Sequence, residues 1–155
     1  MKRLIVIAML ILGAIALPAT AAAAPARTNL FIAHLVGDQE TPPNNSLAQG
    51  EAIMHLNAGG TVSYKLIVAN ITNVTQAHIH QAPRGVAGGI KQWLYPVSGM
   101  TIQLLPGRTD GILAEGTFTP TPELLAAIMS GNAYVNVHTL QHPPGEIRGQ
   151  LRAAH

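Results

Sequence analysis

The chain contains no cysteine, only six aromatic residues (one Trp, three Tyr, two Phe), and charged residues at just 10% of its 155 positions. Without cysteine there is no disulfide framework, no cysteine nucleophile and no lipidated cysteine after a bacterial leader. The stability of any exported part must then come from packing, aided at most by a bound ion. Missing too are a Gly-x-Ser-x-Gly elbow, a phosphate-cradling loop followed by a helix, and a paired-carboxylate motif, so no catalytic residue is assigned. No basic run interleaved with aromatics occurs, which argues against nucleic acid as a partner. Long helical periodicity is also absent, which argues against a helical domain.

What is present begins with a leader. Lys2 and Arg3 precede an unbroken apolar stretch from Leu4 to Leu17, followed by Pro18 and the small-residue run from Ala19 to Ala24. This pattern predicts a signal peptide over residues 1–26. Its apolar part is shorter than the about 20 residues that cross a bilayer, so no membrane association is expected after cleavage. Losing Lys2 and Arg3 takes the balance from 9 basic and 7 acidic residues to near neutrality, and the basic character of the whole chain then carries no weight. The expected location is secreted or periplasmic, with a leader of bacterial type. The remaining segment, 27–155, suits one domain with one core.

Within that segment, alternation of apolar and polar residues dominates. Strands are expected at Leu30–Val36, Ala48–Leu56, Thr61–Ile71, Gln76–Gln81, Ile90–Tyr95, Gly111–Phe118, Ala133–Thr139 and Glu146–Leu151. The second and third form a hairpin over Asn57-Ala58-Gly59-Gly60. Val97–Asp110 has no clear assignment, and Pro106-Gly107 marks a turn within it. One short helix is predicted: Thr121 as N-cap, Pro122 at the first position, Glu123 in the first turn and Gly131 as terminator. Leu124, Leu125, Ile128 and Met129 would form its apolar side. The fold class is all-β: an antiparallel, Greek-key-like sandwich of immunoglobulin type or a small barrel, with about eight strands.

Histidines supply the chemistry. In an extended strand residues two apart share a face, so His78 and His80 point the same way, as do Tyr134, Asn136 and His138. If the two faces meet, His78, His80 and His138 form a three-nitrogen metal site, with copper or zinc as the cofactor. Such a site requires nitrogens within about 4 Å of one another, each about 2 Å from a common point. Asn136 or a backbone carbonyl would orient a ring. The competing reading makes the three histidines hydrogen-bonded caps of strand ends in a structural or protein-interaction module. A redox enzyme is a weaker third.

Other residues receive blander readings. Glu40 orders its loop by accepting backbone hydrogen bonds, and Glu146 and Arg148 form a surface salt bridge on the last strand, with Glu40 as an alternative partner. Trp93 and Tyr95 share a face and pack into the core. His34, His55, His142 and His155 are ordinary surface or interior histidines. Asn44, Asn70 and Asn73 head Asn-x-Ser/Thr tripeptides, too common to decide anything.

Four segments, Asp38-Gln39-Glu40-Thr41-Pro42-Pro43, Ala77-His78-Ile79-His80, Tyr134 to Thr139 and Gly145-Glu146-Ile147-Arg148-Gly149-Gln150-Leu151, stand in the order and spacing of the CHRD (chordin-type) domain, which the chain resembles from about Leu30 to Leu151. The resemblance implies a secreted β-domain without an established activity. Family members commonly carry Gly-Pro where this chain has Gly88-Gly89, which implies a more mobile loop here. A more distant similarity in the order of His-x-His and Val-His links His78, His80 and His138 to the copper ligands of copper-zinc superoxide dismutases. A bridging histidine, a zinc loop and a cysteine pair are all missing, so it implies at most a mononuclear copper-type site.

Overall fold

The computed structural model describes residues 28–97 and 100–154; the predicted signal peptide, residues 1–26, lies outside them. Among these residues eight strands and one α-helix follow in order, with a short 3-10 turn at Gly37–Gln39: β1 Leu30–Val36, β2 Gln49–Leu56, β3 Val62–Gln81, β4 Gly89–Tyr95, β5 Leu105–Phe118, α1 Pro122–Met129, β6 Ala133–Thr139, β7 Ile147–Gln150 and β8 Arg152–Ala153. All strand pairs are antiparallel, in the order β2-β1-β7-β6-β3-β4, and an additional β2–β3 pairing closes the first five into a ring. Of the two expected architectures the barrel is the one adopted. Closure removes the free edges that an open sheet would leave on those strands.

The principal difference from the expected pattern is β3. The predicted strands Thr61–Ile71 and Gln76–Gln81 are one strand of 20 residues. Its first half pairs with β2 and β5, its second with β6 and β4. The change of partners occurs at Asn70 and Asn73, both at φ 57°, a conformation that asparagine tolerates better than other non-glycine residues. Each is tied to β5: the Asn70 N–H donates to the Asp110 carboxylate (2.7 Å), and the Asn73 side-chain oxygen accepts from the Gly107 N–H (2.9 Å). Polar residues in mid-strand read as an interruption, whereas here they bend the strand without ending it. Likewise Pro106-Gly107 lies within β5 rather than in a turn.

The helix has the predicted caps. The Thr121 hydroxyl accepts from the Leu124 N–H at 3.2 Å, Pro122 opens the helix, and Gly131 follows it at φ 73°. Its buried side is Leu124, Ala127 and Ile128 rather than the predicted set, with Met129 exposed. The barrel interior is apolar and is built from alternate residues, including Leu35, Met54, Leu66, Ala77, Ile79, Val135, Val137, Ile147 and Leu151. Burial of this kind contributes about 25 cal/mol per Å² of apolar surface and is the main source of stability in a chain without cross-links.

Candidate metal centre

All seven residues of β6 are buried. One side of a strand in a barrel faces the core, so Ala133, Val135 and Val137 are explained. Tyr134, Asn136 and His138 point outward, and yet each is at most 6% exposed. The same holds on β3, where Ala77 and Ile79 face inward while His78 and His80, 0% and 7% exposed, point out. The outer side of β3, β6 and β7 is therefore a second interior, polar in character.

Register sets its layout. His78 stands opposite Asn136, which stands opposite Arg148; His80 stands opposite Tyr134, which stands opposite Gln150; Gln76 stands opposite His138. His138 is thus the diagonal neighbour of His78 across an antiparallel pair, within reach of a ring. The two faces meet. One nitrogen from each of His78, His80 and His138 lies within 4.8 Å of the others, and His78 Nδ1 is 3.2 Å from His138 Nε2. Two nitrogens bound to one ion at 2.0–2.1 Å stand about 3.4 Å apart in a tetrahedral arrangement and at most about 4.2 Å apart in any arrangement. The His78–His138 pair already has this spacing. The widest separation exceeds the predicted 4 Å, so closing around an ion requires a small ring movement.

The other ring nitrogens are anchored. His80 Nδ1–H donates to the Gly88 carbonyl at 2.8 Å, and His138 Nδ1–H donates to the Pro143 carbonyl at 2.9 Å. These bonds place the lone pairs of both rings on Nε2. His138 Nε2 faces His78 and the Asn136 amide, 3.1 Å away. His80 Nε2 and His78 Nε2 are buried without any hydrogen-bond partner, at a cost of about 1–3 kcal/mol each. A histidine whose Nδ1–H is held by a carbonyl while its Nε2 is bare has the arrangement of a metal ligand.

Electrostatics keep the rings neutral. Burial, then the neighbouring His138 and His80, push His78 down to about 3. Burial lowers His80 and His138 as well, against the opposing effect of their carbonyl hydrogen bonds. All three are therefore unprotonated at neutral pH, the form that binds metal.

Loops provide the cover. Arg148, 2% exposed, donates to the Val86 carbonyl at 2.9 Å, the Pro83 carbonyl at 3.4 Å and the Thr41 hydroxyl at 3.2 Å. Its guanidinium lies 3.5 Å over the Tyr134 ring, which stacks on His80 with 4.8 Å between centroids. Trp93 stands edge-on to His78 at 4.3 Å. Gly88 is held between His80 and the Tyr134 hydroxyl, which accepts its N–H at 3.1 Å, and a side chain there would meet the Gln81 carbonyl. Gly88 thus serves close packing, whereas Gly89, which stands where the family commonly has proline, has open space around its Cα.

Several expectations are corrected. Glu146 and Arg148 make no salt bridge with each other: Glu146 accepts from the hydroxyls of Ser46 (2.6 Å) and Thr139 (2.5 Å), and both residues are buried rather than on the surface. Glu40 is buried, and its carboxyl is raised to about 7 by burial, offset in part by the Arg148 charge and the Thr41 N–H. It sits against Gly145, at φ 143°, where a side chain would collide with the carboxylate. Trp93 and Tyr95 do not act together, because a register shift in β3–β4 leaves Trp93 at His78 and Tyr95 against the apolar core. His34 and His55 are exposed as expected, and His142 is half-buried. Tyr134, Arg148 and the carbonyls of Gly88 and Pro143 were not recognised from sequence as parts of the site. The outward alternation of Tyr134 with Asn136 and His138 was the one signal that pointed to any of them.

Fold and site together define a small closed β-barrel with a loop-covered cluster of neutral histidines on its outer wall. The CHRD domain family matches residues 31–151, and the chain belongs to that family. No curated protein and no solved structure matches the chain. The distant similarity to copper-zinc superoxide dismutases is not borne out. No helix among the described residues is long and apolar enough to cross a membrane.

Proposed function

We propose that this CHRD domain is exported and binds one transition-metal ion, copper in preference to zinc, through His78, His80 and His138. The observation that carries the reading is the convergence of one nitrogen from each of three buried, neutral rings within 4.8 Å, with His80 Nε2 lacking any partner while Nδ1 of His80 and of His138 is fastened to a carbonyl. An ion would satisfy atoms whose burial is otherwise unfavourable. Copper follows from the all-imidazole donor set and from the usual affinity order, in which copper(II) exceeds the other common divalent ions. Export is supported by the apolar leader from Leu4 to Leu17 and by the family, whose domains are typically extracellular. The role is binding rather than turnover, because the bare nitrogens of His78 and His80 are closed off from solvent.

Trp93 is the one tryptophan of the chain and touches His78, so its fluorescence reports directly on the site. The expected outcome for untagged protein lacking residues 1–26 is quenching by copper, saturating at one ion per chain. At a hundredfold excess over Kd, binding should stabilise by about 2.7 kcal/mol, a rise in Tm on the order of 10 °C. His80→Ala should lose both responses. A second reading, a purely architectural cluster in an interaction module, is favoured by the direct His78–His138 hydrogen bond, which holds two of the rings together without an ion. It requires that neither fluorescence nor Tm respond to metal.

A further inference from the structure

The charges around the three histidines point to the oxidation state of the ion. His78, His80 and His138 are the group of potential ligands that converges here among the described residues, and no carboxylate is part of it. Every donor is therefore neutral. The nearest aromatic wall is backed by a cation: the Arg148 guanidinium lies on Tyr134, and Tyr134 lies on His80. No carboxylate forms a salt bridge with Arg148, since the ion pairs among the described residues are Lys65–Glu115 and Arg108–Asp110. Glu146 is engaged by the Ser46 and Thr139 hydroxyls. Glu40 lies close enough to Arg148 for the two charges to interact, but burial holds its carboxyl near half-protonation at neutral pH, so it offsets that cation only in part.

The cost of transferring an ion from water into such surroundings grows with the square of its charge, so a dication is penalised about four times as heavily as a monocation. A nearby guanidinium adds repulsion in proportion to the ion's charge. Zinc sites ordinarily meet this cost with thiolates, carboxylates or a bound water in a fourth position. This site has neither of the first two, and its bare nitrogens are out of reach of solvent. A monovalent copper ion with a filled d shell is content with three neutral nitrogens and needs no fourth ligand.

Resting on the metal reading above, we infer that the site selects monovalent copper, Cu(I), over Zn(II) and Cu(II), through the absence of anionic ligands and the presence of the Arg148–Tyr134 stack. Sulfur, the usual means of selecting Cu(I), is not involved. Selection here comes from charge and coordination number.

The test is a competition titration of metal-free protein lacking residues 1–26: Cu(I) without oxygen against bicinchoninate, and Zn(II) and Cu(II) against chelators of known affinity, each followed by Trp93 fluorescence. The expected result is one Cu(I) per chain, bound at least a hundredfold more tightly than Zn(II) and more tightly than Cu(II). Asn136→Asp, close in shape to the native residue, places a carboxylate where the amide lies 3.1 Å from His138 Nε2. It should reduce the Cu(I)-to-Zn(II) preference at least tenfold. Arg148→Gln should reduce the Cu(I)-to-Cu(II) preference by a similar factor, a fall of about 59 mV in the couple. Tighter binding of Cu(II) than of Cu(I) by the native protein overturns the inference and leaves the metal reading standing; tighter binding of Zn(II) than of copper overturns the inference and the preference for copper, and leaves a three-histidine metal site. An unchanged preference in Asn136→Asp overturns the inference and leaves the metal reading standing. Binding of none of the three ions overturns both.

Discussion

The two sides of β3 and β6 make an instructive pair. On the inner side Ala77, Ile79, Val135 and Val137 are fully buried in an apolar barrel; on the outer side His78, His80, Tyr134, Asn136 and His138 are almost as deeply buried under loops. Backbone, register and burial are nearly the same. What differs is whether burial satisfies the side chains. The inner set needs only close packing. The outer set needs hydrogen bonds, and two of its ring nitrogens have none. Burial stabilises the first side and costs free energy on the second, which is how a binding site differs from a core.

The sharpest way to probe this comparison is to cut one residue on the inner side. Ile79 is 0% exposed and sits between the two histidines in sequence. Ile79→Ala should lower stability by about 2–4 kcal/mol in urea unfolding, through lost contacts and the cavity left behind. A loss under about 1 kcal/mol would mean that the barrel interior is not the principal core.

Acidification separates the sides next. Unfolded histidine takes up a proton near pH 6.5, whereas His78 in the fold resists until about 3, and His80 and His138 are lowered too. Their contribution is complete above pH 6.5 and is lost as the pH falls toward 3. Glu40 works oppositely: raised from 4.5 to about 7, it contributes below pH 4.5 and loses that contribution as the pH rises through 7. The lowered histidines withdraw their contribution between pH 6.5 and 5 while Glu40 restores its own, so with three histidines against one glutamate the metal-free domain should lose stability over that window. Glu40→Gln removes the opposing slope and should steepen that loss. Denaturant midpoints measured at intervals from pH 5 to 8 check both expectations.

The smallest stability effect belongs to the outer side. His78→Leu exchanges a buried ring with an unsatisfied nitrogen for an apolar group of similar size. Metal-free stability should change by less than about 1 kcal/mol, while metal-induced quenching of Trp93 disappears. A loss comparable to that of Ile79→Ala would show that the histidines serve as a second core and nothing more.

Much of this was legible beforehand. The helix could be read because its caps are local: Thr121, Pro122 and Gly131 act within one or two turns of their own positions. The pairing of His78 with His80 rests on strand periodicity, also local. Less legible was β3, because Asn70 and Asn73 look like a break and their bend depends on Asp110 and Gly107 of another strand. Arg148 was misjudged for a related reason. Its charge predicts a surface ion pair, but its actual partners are an aromatic ring, the Thr41 hydroxyl and the carbonyls of Pro83 and Val86, and carbonyls leave no mark in a sequence.

By itself, then, the amino-acid sequence determined that this is an all-β domain and which side chains share a face, since alternation and capping act over a few residues. Tertiary structure alone decided that the β3 and β6 faces adjoin, that both sides of these strands are buried, and that a guanidinium lies behind His80. Those outcomes depend on antiparallel register between segments some 60 residues apart and on loops folding over them. Register is a collective property of the closed sheet, set by how the whole inner side packs.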